Sequence, residues 1–174
     1  MELKKIILII ISTAILGCAI KYKPPTSGDV AQIRFQSPSL EFPSYVIIQT
    51  FSNDNCDNPK NIGKLFTFKW AHQPIRRQNM MDPPPADSKK YLEELIPAGK
   101  VLYFTMKEGN PYYPCVLTFS FLPEKNAQYE ATYSEKTFEC YLTLHELILD
   151  NEGKVVRLPV DSFKKNIKEC SPVF

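Results

Sequence analysis

Residues 115–121 read Cys-Val-Leu-Thr-Phe-Ser-Phe, and this stretch decides the fold class. Every second residue in it is apolar, namely Cys115, Leu117, Phe119 and Phe121. Successive side chains of a strand point to opposite faces, so this alternation predicts a strand with one face buried. Seven more segments carry a strand pattern, at residues 31–35, 45–51, 66–70, 101–107, 129–133, 138–144 and 155–160.

The connections between these segments contain Pro, Gly and Asn, and none has the length of a strand–helix–strand crossover. This organisation predicts an all-β fold, an antiparallel β-sandwich of about eight strands. Residues 91–96 fit a strand and a helix equally well. Phe163, Ile167 and Cys170 follow one another at helical spacing and predict a short C-terminal helix.

The composition agrees with one folded domain. Of the 174 residues, 44% are hydrophobic and 23% charged, which is typical of a globular protein and excludes a disordered one. Aromatic residues at 12% and 15 prolines favour short strands and turns. The net charge is +2 and no block of five or six like charges occurs, so no nucleic-acid partner is expected.

Residues 1–17 have the pattern of a signal peptide. Lys4 and Lys5 precede an apolar segment, residues 6–16. As a helix this segment would span about 17 Å, too little for a bilayer core of about 30 Å. Its length therefore indicates an export signal.

The apolar segment ends in Ile15-Leu16-Gly17-Cys18, which resembles the lipobox of bacterial lipoproteins. The resemblance implies a lipid on the Cys18 thiol and cleavage before that residue. Because Ala19 and not Asp follows the cysteine, it also implies the outer membrane as the final location. The alternative is an ordinary secretory signal in which Cys18 occurs by chance.

Three regions follow from these patterns: a signal peptide at 1–17, a lipidated tether at 18–29 and the β-sandwich domain at 30–174. The tether contains Pro24-Pro25, which favours an extended backbone. The body of the chain resembles small β-sandwich lipoproteins of uncharacterised bacterial families, a resemblance that implies no activity. The residues that carry it are Tyr22, Pro24-Pro25, Ala31-Gln32-Ile33-Arg34, Ile96-Pro97-Ala98-Gly99-Lys100, Cys115, Phe121-x-Pro123, Tyr129 and Cys140.

Four further cysteines, Cys56, Cys115, Cys140 and Cys170, are an even number in an exported chain and predict two disulfides. Cys115 and Cys140 each lie on the apolar face of a strand pattern, so we predict that they pair, which leaves Cys56–Cys170. Free thiols or a metal or redox site are the alternatives. No pair has C-x-x-C spacing, so neither a metal nor another cofactor is predicted.

The longest stretch without strand alternation, residues 72–90, is the candidate partner-binding loop. Methionine and arginine are enriched in protein interfaces, and a proline run lowers the entropy lost on binding. A loop without a binding role is the alternative. The candidate residues are Ile75, Arg76, Arg77, Met80 and Met81. Tyr112 and Tyr113, between prolines, form either a stacking surface for a sugar or peptide or a packed loop.

The sequence contains no G-x-S-x-G elbow and no glycine-rich phosphate loop, and therefore predicts no catalytic residues. We expect a non-enzymatic envelope lipoprotein that serves as an accessory or scaffolding component of a surface assembly. Its partners would be the membrane, through Cys18, and another envelope protein. The alternative function is that of a ligand-binding or inhibitor-type periplasmic lipoprotein.

Overall fold

The computed structural model describes residues 20–41, 44–67, 76–85, 88–109, 115–136 and 139–165. Its strands are β1 (Ile20–Lys21), β2 (Val30–Gln36), β3 (Tyr45–Phe51), β4 (Lys60–Phe66), β5 (Tyr91–Pro97), β6 (Leu102–Glu108), β7 (Val116–Phe121), β8 (Gln128–Lys136), β9 (Glu139–Leu149), β10 (Val155–Pro159) and β11 (Lys164–Lys165). Within these ranges there is no helix, and hence none with the length and apolar character to cross a bilayer.

The strands form two sheets, which confirms the all-β class. One sheet has the order β1-β4-β3-β6-β7-β11, and the other has the order β10-β9-β8-β2-β5. The prediction of purely antiparallel sheets is wrong, because β1 pairs with β4 in parallel and β2 pairs with β8 in parallel. Strand β2 lies between two strands that are distant in sequence, and alternation within a strand carries no information about such pairing.

Strands β1, β5 and β11 are not among the predicted eight, and β4 covers residues just before the strand predicted at 66–70. Strand β4 ends at Phe66, where the pattern of Phe66, Phe68 and Trp70 predicts a strand to begin; residues 68–70 lie outside the described ranges. A Cβ on Gly63 of β4 would lie 2.9 Å from Leu92 Cδ2 of the other sheet. The strand thus has a glycine at a close approach of the two sheets, which weakens its sequence pattern.

The ambiguous segment at 91–96 is a strand. Strand β5 pairs with β2 over seven residues, from Val30 opposite Pro97 to Gln36 opposite Tyr91. Its local pattern also fits a helix, and the pairing with β2 selects the extended form. Long-range contacts of this kind override local preference.

The prediction of a C-terminal helix is wrong for the first residues of that segment. Lys164 and Lys165 form strand β11, opposite Ser120 and Phe119 of β7. The Phe163 ring packs edge-on against Phe119 with 5.9 Å between ring centroids, which holds this segment against the sheet. The helical positions Ile167 and Cys170 lie outside the described residues.

The predicted alternation places side chains from both sheets in one hydrophobic cluster. Phe35 of β2 contacts Phe104 of β6 with 5.5 Å between ring centroids, and Phe121 of β7 contacts Tyr129 of β8 at 4.9 Å. Burying one such side chain contributes about 1.5–3 kcal/mol. The fully buried members include Ile33, Phe35, Ile48, Leu65, Met106, Phe119, Phe121 and Ala131.

The predicted disulfide between Cys115 and Cys140 is confirmed. It joins the residue before β7 to β9, and therefore links the two sheets, with 6.3 Å between the Cα atoms. Cys56 is also disulfide-bonded. Its predicted partner, Cys170, lies outside the described residues.

Contacts with the sheets begin before residue 30, within the segment predicted to be a tether. Ile20 and Lys21 pair with Lys60 and Asn61 of β4. The Tyr22 side chain is 8% exposed, and its hydroxyl donates to the Leu95 carbonyl at 2.9 Å. The chain is thus held against both sheets from Ile20 onward.

Candidate functional site

Residues 76–85, which we call the strap, run across one face of the five-stranded sheet. The backbone N–H of Glu93 donates to the Arg76 carbonyl at 3.0 Å, so the strap lies alongside the edge strand β5. Further along, the backbone N–H of Met81 donates to Gln128 Oε1 of β8 at 2.8 Å. The strap therefore crosses from the edge of the sheet over β2 to β8.

Arg34 lies under the strap and is fully buried. It is opposite Glu93 on β5 and opposite Glu130 on β8, so the three side chains share one face of the sheet. The Arg34 guanidinium donates to Glu93 Oε1 from Nε at 3.1 Å and from Nη2 at 2.9 Å, and to Glu130 Oε2 from Nη1 at 2.9 Å. Its two remaining N–H groups reach the strap carbonyls of Met81 at 2.8 Å and Asp82 at 3.0 Å.

A second arginine completes this cluster at its outer side. Arg157 of β10 donates from Nε to Glu130 Oε1 at 2.7 Å and from Nη2 to Asp82 Oδ2 at 2.9 Å. The hydrogen bond to Glu130 is the main reason why the pKa of Arg157 is raised. The cluster thus contains two cations, Arg34 and Arg157, and three carboxylates, Glu93, Glu130 and Asp82.

Arg76 connects the two sheets at the edge formed by β4 and β5. Its guanidinium donates to the Glu94 carboxylate of β5 and to the Ile62 carbonyl of β4. Glu94 is fully buried. Loss of solvent raises the pKa of the Glu94 carboxyl, and the Arg76 charge acts in the opposite direction. Arg76 is therefore an internal contact of the fold.

Arg77 is also held by the protein itself. Its guanidinium carbon lies 3.4 Å from the centre of the Tyr91 ring, a cation–π contact. The same group donates to the carbonyls of Tyr91 at 2.9 Å and Ser88 at 2.8 Å. Burial lowers the pKa of Arg77.

The predicted partner-binding residues that the structure describes therefore do not form one free surface. Met80 is only 2% exposed, and Arg76 and Arg77 make internal contacts, while Met81 is half-buried. The other candidates, Ile75, Tyr112 and Tyr113, lie outside the described residues. The strap positions that face solvent are Asn79, Asp82, Pro83 and Pro85.

A pocket of about 200 Å³ lies at another place, where the strand ends of both sheets meet. Tyr22, Ile96, Leu102 and Phe104 form buried parts of its wall. Ser52, Lys60, Lys100 and Val101 line it from exposed positions and form its rim. Sequence reasoning did not identify this pocket, because its residues come from five separate segments. Comparisons of the chain with protein-family models, with curated proteins and with solved structures found no match.

Proposed function

We propose that this chain is a non-enzymatic lipoprotein of the bacterial cell envelope, anchored to the outer membrane through Cys18. The observation that carries the proposal is the run Ile15-Leu16-Gly17-Cys18 after a short apolar segment. The Cys115–Cys140 disulfide supports it, because such bonds persist mainly outside the reducing cytosol. Several acyl chains at Cys18 would hold the protein on the membrane almost permanently, whereas one chain would not.

We further propose that the two sheets pack face to face as a β-sandwich. The ring contacts Phe35–Phe104 and Phe121–Tyr129 join facing strands of the two sheets. The disulfide joins them at another point. A sandwich of this kind provides a rigid platform on which surface segments are presented.

As an accessory or scaffolding component, the protein would bind another envelope protein through the exposed part of the strap. Asn79, Asp82, Pro83 and Pro85 face solvent on a backbone that the buried Arg34 already holds in place. Ordering a loop on binding costs free energy, so a loop that is ordered beforehand binds with less loss. This surface differs from the candidate set suggested by the sequence in the same loop, which comprises Ile75, Arg76, Arg77, Met80 and Met81.

Metabolic labelling with an alkyne fatty acid tests the anchor. The wild-type chain should carry the label, and Cys18→Ala should not. Cys56→Ser is the matched control, since it removes a cysteine that lies outside the lipobox and should leave labelling unchanged. Equal labelling of wild type and Cys18→Ala would disprove the anchor.

Site-specific photocrosslinking in intact cells tests the docking surface. A photoreactive amino acid at Pro83 should give a discrete crosslinked product, and the same amino acid at the exposed Lys154 of the β9–β10 turn should not. Adding Pro85→Arg to the Pro83 probe should abolish the product. If Lys154 gives the same product, or if Pro85→Arg leaves the yield unchanged, the partner does not bind at the strap.

A further inference from the structure

We propose that the pocket beside Tyr22 binds a small carboxylate that carries an aromatic ring or a hydrocarbon group of similar size. The proposal is independent of the lipid anchor and of the strap. It rests on three features: the charge of the pocket lining, the hydrogen bonds of its polar side chains and the volume of the pocket.

The lining carries two cations, Lys60 and Lys100, and no acidic side chain. Neither lysine has an ion pair or a side-chain hydrogen bond within the described part of the chain. Lys60 is opposite Thr50, which is in turn opposite the core residue Phe104. Directly paired residues project from the same face of a sheet, so Lys60 lies on the core-facing side of its strand.

The hydroxyl groups of the wall already donate hydrogen bonds to backbone carbonyls of the protein. The Tyr22 hydroxyl donates to the Leu95 carbonyl at 2.9 Å, and the Thr50 hydroxyl donates to the Tyr103 carbonyl at 2.8 Å. The Ser52 hydroxyl donates to the Asp57 carbonyl at 3.2 Å. Among the side chains of the lining, the two ammonium groups are therefore the donors that have no partner within the described residues, and they favour an anionic head group.

The rest of the wall is apolar and limits the size of the ligand. Phe51, Ile96, Leu102 and Phe104 line the pocket as buried side chains. An apolar cavity of about 150 Å³ holds one benzene molecule. A pocket of about 200 Å³ thus accepts one ring or a chain of similar volume together with a carboxylate at the lysine rim.

Equilibrium dialysis of radiolabelled phenylacetate against the full chain in detergent micelles tests the proposal, with empty micelles as the blank. Binding should be saturable and should weaken as salt is added, because salt screens the lysine charges. Phenylacetamide has the same shape without the charge and should compete at least about tenfold less well.

Variants locate the site. The double variant Lys60→Gln and Lys100→Gln should bind phenylacetate at least about tenfold more weakly. Lys136→Gln, an exposed lysine at the end of β8, should bind it as the wild type does. Val101→Trp, at a rim position that is 46% exposed, should block the mouth without disturbing the core.

Two results would overturn the proposal. One is the lack of saturable binding above the micelle blank. The other is binding that the double lysine variant and Val101→Trp both leave at the wild-type level, which would place the phenylacetate elsewhere on the protein.

Discussion

All five N–H groups of the Arg34 guanidinium have acceptors among Glu93, Glu130, Met81 and Asp82. A buried ion cluster of this kind contributes little net stability compared with an apolar core of the same volume. It is nevertheless sensitive to the loss of Arg34, because the buried carboxylates of Glu93 and Glu130 would then lack the cation between them. Arg34 thereby fixes the position of the strap on the sheet.

We predict that Arg34→Met lowers the free energy of unfolding by about 3–5 kcal/mol, because Glu93 and Glu130 lose the cation between them. Urea unfolding of the full chain measures this change. Arg157→Met is the matched control, since its side chain is 38% exposed, and it should lower the free energy by about 1 kcal/mol. Adding Glu93→Gln and Glu130→Gln to Arg34→Met removes the unpaired charges and should restore much of the lost free energy of unfolding. If the triple variant is no more stable than Arg34→Met, this account is contradicted.

A second prediction at this scale concerns pH. Burial and then the nearby Glu108 carboxylate raise the pKa of Glu135 above the ordinary value of 4.5. The folded protein thus holds this proton more tightly than the unfolded chain does. Below pH 4.5, the protonated Glu135 carboxyl makes its full contribution to the free energy of unfolding. This contribution is lost as the pH rises through the raised pKa of Glu135.

The glutamine in Glu135→Gln cannot ionise, so this variant does not lose that contribution as the pH rises. The free energy of unfolding of the variant minus that of the wild type should therefore increase between pH 4.5 and pH 7.5. Urea unfolding at the two pH values measures the change. Ser134→Ala, at the neighbouring position of β8, removes no ionisable group and is the control, so it should show a constant difference. A constant difference for Glu135→Gln as well would show that its carboxyl is not perturbed in the folded protein.

The sequence could not have predicted the Arg34 cluster. Arg34 alternates with Ile33 and Phe35, and an arginine on that face of a strand is normally in contact with solvent. Its burial depends on the strap, which comes from a segment more than forty residues away. By contrast, Cys115 and Cys140 could be paired from sequence, because each belongs to a clear apolar row.

At the scale of elements, alternation predicted a strand where apolar residues occupy every second position. Strands β2, β7 and β8 are examples. It failed for β4, whose polar residues and Gly63 interrupt the pattern, and for β11, which has only two residues. The described part of the loop predicted at 72–90, residues 76–85 and 88–90, contains no strand, but residues 76–82 are bound to the sheet through buried charges.

We predict that the two halves of the strap respond differently to replacement. A Gly/Ser sequence at residues 76–82 removes the contacts of Arg76, Arg77 and Met80, so cooperative unfolding should be lost or the midpoint strongly lowered. A Gly/Ser sequence at 83–85 should cost only about 1–2 kcal/mol, since it mainly loosens the unfolded chain. Thermal unfolding by circular dichroism compares the two, and similar midpoints would mean that the 76–82 contacts contribute little.

The disulfide connects two elements and has a measurable effect of its own. Its cysteines are 25 residues apart, and chain-entropy models assign about 3–4 kcal/mol to such a cross-link. The double variant Cys115→Ser and Cys140→Ser should lose this amount in urea unfolding. Non-reducing peptide mapping of the wild type should show the 115–140 link and, as we predict, a 56–170 link. A link between Cys56 and either core cysteine would contradict the pairing.

At the scale of the whole molecule, each sheet combines strands that are distant along the chain. The parallel pair β2–β8 brings residues 32–36 beside residues 128–132. Cross-sheet contacts such as Tyr133 Oη to Glu108 Oε2 at 2.6 Å add to this long-range organisation. Topologies dominated by long-range pairs fold slowly. Because the strap contacts β5, β2 and β8, we expect the assembled sheets, and not any single hairpin, to stabilise it.

If Cys18 carries the proposed lipid, the position of strand β1 determines how the protein is oriented at the bilayer. It begins two residues after Cys18, so a lipid on that cysteine would hold the edge of the six-stranded sheet within about 7 Å of the headgroup layer. Ile20 pairs with Lys60, so the lysine-rimmed mouth would face the same layer. Solutes would then reach the pocket from the interface, while β10 and β11 at the far edges would point away from the bilayer.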